Sequence, residues 1–88
     1  MSTKKKQKRR KRYHIYLLND EQNSFEYVNK VLMSFCGHNY YQAEQCAMIT
    51  HNTGKAHIYS GLGVHPLLVY EALIKHGLNV ELKTKKYE

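Results

Sequence analysis

Residues 13–21 read YHIYLLNDE, a run of aromatic and aliphatic residues that ends in amide and carboxylate side chains. Such a run, bounded by turn-forming residues, is typical of a β-strand, so a strand is predicted over residues 13–18. Residues 19–23 follow as a polar loop. The strand therefore ends in a group of hydrogen-bond acceptors, led by Asn19 and Asp20.

Two helices are predicted between residue 23 and about residue 52. Asn23 and Glu26 have the spacing of a capping box, and Asn39 and Gln42 repeat it. Gly54 is suited to end the second helix. Both helices carry apolar residues at helical spacing: Tyr27, Val28, Val31, Leu32 and Phe35 in the first, and Ala43, Cys46, Ala47 and Thr50 in the second.

The remaining sequence predicts a strand over residues 55–59, a third helix and a last strand. Pro66 suits the first turn of a helix, whose inward residues would be Leu68, Val69, Ala72 and Leu73. Leu78, Val80 and Leu82 alternate with polar residues, as in a half-buried strand. The predicted fold is α+β, a small three-stranded sheet with three helices packed on it, in the order βααβαβ.

The basic residues are concentrated at one end of the chain. The formal charge is +7, yet residues 13–88 hold only six basic residues against seven acidic ones. Residues 1–12 hold eight cations, and a run of like charges is typical of a disordered tail: Lys4, Lys5, Lys6, Lys8, Arg9, Arg10, Lys11 and Arg12. We therefore expect a basic tail over residues 1–12, one domain over 13–84 and a frayed end over 85–88.

Composition excludes several classes of function. A chain of 88 residues forms one small domain and is too small to bury a large cofactor. No apolar run is long enough to span a membrane or to form a secretory signal, and two cysteines are too few for a disulfide framework. Cys36 and Cys46 are too far apart for a typical zinc pair, and neither lies in a recognisable nucleophile motif. We expect a cytoplasmic protein without cofactor, metal or catalysis.

Four segments together resemble the ClpS family, the adaptors of the Clp protease. They are Leu18-Asn19-Asp20, Phe25-Glu26-Tyr27-Val28, Gln42-Ala43-Glu44, and the ending in which Thr50, His51, Gly54 and Lys55 stand. The resemblance covers residues 13 to about 82. It implies an adaptor that binds free N-terminal Leu, Phe, Tyr or Trp residues (N-degrons) and delivers the substrate to a ClpA- or ClpC-type AAA+ unfoldase.

The resemblance also implies which residues bind. The contacts to the N-terminal amine would come from Asn19, Asp20 and His51. The pocket for the first side chain would be formed by Asn23, Phe25, Val28, Val31, Ala47 and Thr50. An ammonium group has three N–H donors, and a carboxylate, an amide oxygen and a neutral imidazole nitrogen can accept all three. Ala47 stands where the family often has Met, so we expect a deeper pocket that favours bulky aromatic residues.

Other interpretations remain open from the residues alone. Asn19 and Asp20 are common in simple turns. His51 lies near the end of a helix, where a cation is favoured by the helix dipole. Phe25, Val28 and Val31 suit an ordinary core. A small RNA- or ribosome-associated protein is the alternative function, because residues 1–12 could contact nucleic acid weakly and in a salt-dependent way.

Overall fold

The computed structural model describes residues 11–86, and within them it confirms the predicted order of elements and the α+β fold. The predicted disorder of residues 1–10 and the fraying of 87–88 lie outside the described residues. The elements are β1 (Lys11–Leu18), α1 (Phe25–Phe35), α2 (Tyr40–Thr53), β2 (Lys55–Leu62), α3 (His65–Lys75) and β3 (Val80–Lys86). No helix among the described residues has the length and apolar character that a membrane crossing requires.

The three strands form one antiparallel sheet in the order β2-β1-β3, so β1 is the central strand. Ile15 and Leu17 of β1 face the helices and are buried. The register between β1 and β2 shifts at Ile15/Tyr16, where Ile15 pairs with Tyr59 and Tyr16 with His57. Ile58 is the extra residue of this β-bulge, and such an insertion increases the local twist of the edge strand.

The core lies between the sheet and the three helices. Ile15, Leu32 and Leu73 are fully buried and come from β1, α1 and α3 respectively. α2 contributes small residues, Ala43 and Ala47, and small side chains let a helix approach its neighbours closely. Asn29 of α1 is a buried polar residue, and its amide group donates to the carbonyl oxygens of Phe25 and Ala43 at 3.3 Å.

The start of α1 corrects a sequence prediction. The N-cap residue is Ser24, whose hydroxyl accepts a hydrogen bond from the backbone N–H of Tyr27, so the capping box predicted for Asn23 and Glu26 is wrong. The amide of Asn23 is engaged elsewhere, with Asp20 and Gly77. The box predicted for α2 is confirmed, because Asn39 and Gln42 exchange both hydrogen bonds.

The other differences concern element ends and one core residue. Lys11 and Arg12, expected in the tail, belong to β1, and β3 continues to Lys86. Both extensions arise from pairing, because residues 11 and 12 lie opposite residues 86 and 85. Leu68 was expected in the core but is 58% exposed, since α3 buries Pro66, Val69 and Leu73 instead.

Candidate functional site

A small recess opens where β1 ends, between the loop that follows β1 and the helices α1 and α2. Its volume is about 30 Å³. Ten residues line it: Leu17, Leu18, Asn19, Asp20, Asn23, Phe25, Val28, Ala47, Thr50 and His51. The polar residues of the loop and the apolar residues of the helices thus meet in one place, which we call the recess.

The loop of residues 19–23 is ordered by the carboxylate of Asp20. Its Oδ1 accepts hydrogen bonds from the backbone N–H groups of Gln22, at 2.7 Å, and Asn23, at 3.3 Å. Its Oδ2 accepts from the side-chain amide of Asn23 at 2.7 Å. An ionised carboxylate has about four acceptor positions. Three hydrogen bonds therefore fix the orientation of Asp20 and leave acceptor capacity for a ligand.

A second set of hydrogen bonds fixes this loop to distant parts of the chain. Asn23 donates through its amide to Gly77 O at 2.8 Å, and the amide of Asn79 donates to Asn19 O at 2.9 Å. The backbone N–H of Asn19 donates to Gly54 O at 3.2 Å. The turn before β3 and the end of α2 therefore hold the loop from two sides. The acceptor groups of Asn19 and Asp20 are thus oriented by the fold itself.

These hydrogen bonds also keep Asp20 charged. Burial alone would raise the pKa of Asp20, but the hydrogen bonds from Gln22 and Asn23 outweigh it, and the pKa falls below its usual 3.8. The carboxylate is therefore ionised at neutral pH. The oxygen Oδ1 of Asn19 accepts from the N–H of Asp20 at 3.0 Å and keeps a second lone pair. Together they present a negative charge and an oriented amide oxygen.

The inner wall of the recess is apolar. Val28 of α1 and Ala47 of α2 are both buried. The hydroxyl of Thr50 donates to Cys46 O at 2.8 Å within α2, so its hydrogen-bonding requirement is already satisfied. A side chain that enters the recess therefore meets carbon atoms rather than unpaired polar groups, which favours an apolar ligand.

The rim is formed by two rings. Phe25 is 46% exposed, and its ring stands edge-on to the ring of His51, with centroids 5.7 Å apart. A volume of about 30 Å³ is far smaller than the roughly 150 Å³ of an engineered apolar cavity that binds benzene. A large side chain therefore needs the recess to widen, and the exposed rings of Phe25 and His51 are the part of the wall that borders solvent.

The family model for the ATP-dependent Clp protease adaptor protein ClpS matches residues 8–64, which is well over half of the chain. The chain belongs to the ClpS family. Every residue that lines the recess falls within the matched segment, whereas α3 and β3 follow it. The resemblance suggested by the sequence is therefore confirmed.

Solved structures support the same fold for this ClpS-family chain. ClpS2 of Agrobacterium tumefaciens, in a structure bound to L-phenylalaninamide, superimposes with a TM-score of 0.70 at 22% sequence identity. The match covers 88% of this chain and 98% of that one. No match is found among curated proteins.

The residues predicted for the ClpS-type site lie together, with one exception. Asn19, Asp20 and His51, together with five of the six residues predicted for the pocket, line the recess. Val31 does not: it is buried in the core one helical turn beyond Val28. Leu17 and Leu18 were missed. Their position directly before Asn19 was a usable signal, because the last residues of a strand lie next to the loop that follows it.

The cysteines and their histidine neighbours form no metal site among residues 11–86. Cys36 and Cys46 are free thiols. Burial, with a smaller effect from Cys46, raises the pKa of Cys36 to about 12, and burial also raises the pKa of Cys46. Both sulfurs therefore stay protonated at neutral pH, a state that neither binds metal well nor acts as a nucleophile.

Proposed function

We propose that this ClpS-family chain binds the free N-terminus of proteins that begin with Leu, Phe, Tyr or Trp, and delivers them to a Clp AAA+ unfoldase. One observation carries the proposal: the recess joins a charged, prealigned acceptor loop to an apolar wall. An N-terminal residue offers the complementary pair, an ammonium and a side chain on the same carbon. The related ClpS2 was solved with L-phenylalaninamide, which has both groups.

The amine would be held by Asp20, Asn19 and His51. An α-amino group has a pKa of roughly 8 and is mostly protonated at neutral pH. Asp20 supplies the opposite charge, Asn19 an oriented oxygen, and a neutral His51 one acceptor nitrogen. Hydrogen bonds to charged groups contribute roughly 1.5–3 kcal/mol each. An acetylated N-terminus lacks the charge and two donors, so these acceptors would lose their partners.

The first side chain would supply the second contribution. Burial of a Leu or Phe side chain contributes roughly 1.5–3 kcal/mol. Part of that energy is needed to widen the recess and to order the peptide, so we expect binding in the micromolar range or somewhat tighter. A β-branched residue would bind less well, because its branched Cβ meets the rim formed by Phe25 and His51.

Delivery is the second half of the proposal. The family name links the chain to the ATP-dependent Clp protease, and we propose a ClpA- or ClpC-type unfoldase as the partner. The role is binding rather than catalysis. We propose the cytoplasm as the site of action, since the two free thiols are typical of a reducing compartment.

A peptide titration tests the proposal. Fluorescent peptides that differ only in the first residue (Leu, Phe, Tyr, Trp, Ile, Val or Gly) are titrated with the full chain, each free and acetylated. We expect the free Phe peptide to bind at least about tenfold more tightly than its acetylated form, which corresponds to one charge-assisted hydrogen bond. Equal binding of the two forms would contradict the proposal. Degradation of a Phe-tagged reporter by ClpAP or ClpCP, with and without the chain, tests delivery separately.

A further inference from the structure

The charges of the described fold are separated between its two sides. The sheet has one face covered by helices and one face open to solvent, because Ile15 and Leu17 point into the core and their neighbours along β1 point away from it. We call the second face the open face; it carries Arg12, His14 and Tyr16 of β1, Lys55 and His57 of β2, and Glu81 and Lys83 of β3. Among the side chains that the structure describes, it holds three permanent cations and one carboxylate.

Most acidic residues of the described part of the chain lie outside the open face. Five of them belong to the loop after β1 or to the helices: Asp20, Glu21, Glu26, Glu44 and Glu71. Only Lys30 and Lys75 are cations of the helices. The charged residues of the described fold are therefore divided between a basic sheet face and an acidic helical side. A clustered charge on one face is the electrostatic pattern of a polyanion-binding surface.

Three rings lie together in the middle of the open face. The centroid of the His57 ring is 5.2 Å from that of His14 and 5.2 Å from that of Tyr16. His14 Nδ1 and His57 Nε2 are 3.1 Å apart, so one ring donates to the other. We call these three residues the ring cluster. Burial, followed by the charge of His14, lowers the pKa of His57, which keeps that ring neutral and suited to stacking.

An exposed lysine, Lys55, lies beside the ring cluster. Lys55 Nζ lies 5.0 Å from the centroid of the Tyr16 ring and 3.2 Å from Glu81 Oε1. Both partners of this ion pair are about 40% exposed, and such surface pairs contribute little stability. Lys55 can therefore leave the face of Tyr16 at little energetic cost and turn to a phosphate.

The sequence before β1 contains further basic residues. β1 is the central strand, and six further cations precede Lys11 in sequence: Lys4, Lys5, Lys6, Lys8, Arg9 and Arg10. They are covalently attached where β1 begins, next to Arg12. The recess lies at the opposite end of β1, about 25 Å away for a strand of this length. No residue of the ring cluster lines the recess, so the two surfaces use different side chains.

We propose that the open face binds single-stranded nucleic acid, with bases stacked on the ring cluster and phosphates on the surrounding cations. Stacking on exposed rings within a positively charged surface is the general means by which proteins bind single strands without sequence preference. An acidic protein segment would use the cations but would gain nothing from three adjacent rings. The rings are the reason to choose nucleic acid over other anionic partners.

Fluorescence anisotropy of the full chain with a labelled oligouridine of about a dozen nucleotides tests the proposal. The oligothymidine of the same length and a duplex are measured in parallel, at about 50 and about 200 mM salt. Tyr16→Leu should weaken oligouridine binding by about five- to a hundredfold, because it removes one stacking surface. Lys83→Glu should weaken it as well, while the matched Lys75→Glu on α3 should leave it within about twofold.

Three outcomes would overturn the proposal. The first is no binding to either single strand at the lower salt concentration. The second is unchanged oligouridine binding by the Tyr16→Leu variant. That result would attribute the binding to nonspecific contacts of the basic N-terminal sequence rather than to the ring cluster. The third is equal weakening by Lys75→Glu and Lys83→Glu. Binding of a Phe-initiated peptide shows that each variant is folded, because none of the three residues lines the recess.

Discussion

The ring of Phe25 meets the ring of His51 edge-on at the mouth of the recess, with centroids 5.7 Å apart and planes inclined at 76°. Phe25 is the first residue of α1, and His51 lies in the last turn of α2. The contact lies between the start of α1 and the end of α2, and movement of either ring would widen the mouth of the recess. The rim is therefore where selectivity for the first side chain should be set.

Phe25→Ala should relax that selectivity. Without the ring, a β-branched side chain no longer meets the rim, so the ratio of Ile to Leu peptide dissociation constants should fall by about fivefold or more. Met33→Ala is the matched control, because Met33 is also an exposed apolar residue of α1 but does not line the recess. If this ratio is unchanged in the Phe25 variant, the inner wall rather than the rim discriminates between Ile and Leu peptides.

Asp20→Asn should weaken peptide binding by tenfold or more, because it removes the charge that faces the ammonium; charge-assisted hydrogen bonds contribute roughly 1.5–3 kcal/mol. Asn keeps one oxygen for the backbone N–H groups of Gln22 and Asn23, so the loop is disturbed less than by Ala. Glu21→Gln removes the same charge one residue later, outside the recess, and should change the dissociation constant little. Equal effects of the two variants would indicate long-range electrostatics rather than direct contact.

Ala47 should favour aromatic first residues. Its methyl group forms part of the inner wall, and a larger residue there would shorten the space available to the ligand. We expect Phe and Trp peptides to bind more tightly than the Leu peptide, and Ala47→Met to reduce aromatic binding more than Leu binding, by about tenfold. A wild-type preference for Leu over both aromatics would show that Ala47 does not deepen the site.

Stability should fall as the pH is lowered below neutrality. The pKa of His57 in the folded state lies below its ordinary value of 6.5. The unfolded chain therefore takes up this proton first, and the stabilising contribution, complete above pH 6.5, is lost as the pH falls below it. Urea unfolding between about pH 7.5 and pH 5.5 should show this decrease, and His57→Gln should make it smaller. An identical slope in that variant would exclude His57 as the cause.

Gly54→Ala should lower the free energy of unfolding by about 1–2 kcal/mol, because φ is 97° at this position and non-glycine residues are strained there. A Cβ atom would meet no other atom within 4 Å, so the cost is conformational. Gly54 O accepts from Asn19, and the variant should also weaken peptide binding. Gly37→Ala (φ 72°) is equally unhindered but lies away from the recess; it should lose stability without losing affinity.

Local signals in the sequence were sufficient for most of the fold. The capping box of Asn39 and Gln42 and the stop at Gly54 depend on neighbours within one helical turn, and both were predicted correctly. Asn23 was misassigned because its amide bonds to Gly77, 54 residues further along the chain. Leu68 satisfied helical periodicity, yet α3 turns it outward. Periodicity identifies a helix but does not fix its rotation against the sheet.

The site could be predicted only in part. Eight of the ten residues that line the recess were named from the family resemblance, but neither its small volume nor the rim contact of Phe25 follows from sequence. The basic open face was hidden as well. Lys55 and Lys83 are 28 residues apart, and only the pairing of β2 and β3 with the same central strand places both on one surface. A net charge summed along the chain contains no such information.

The hydrogen bonds that tie the loop after β1 to Gly77 and Asn79 limit how far this protein can be shortened. The family model ends at residue 64, but the loop that it includes is braced by residues beyond that point. A fragment that stopped there would also lack β3 and the buried side chains Leu73 and Leu78. Such a fragment would keep every residue that lines the recess and yet lose the side-chain and backbone partners that immobilise its polar loop.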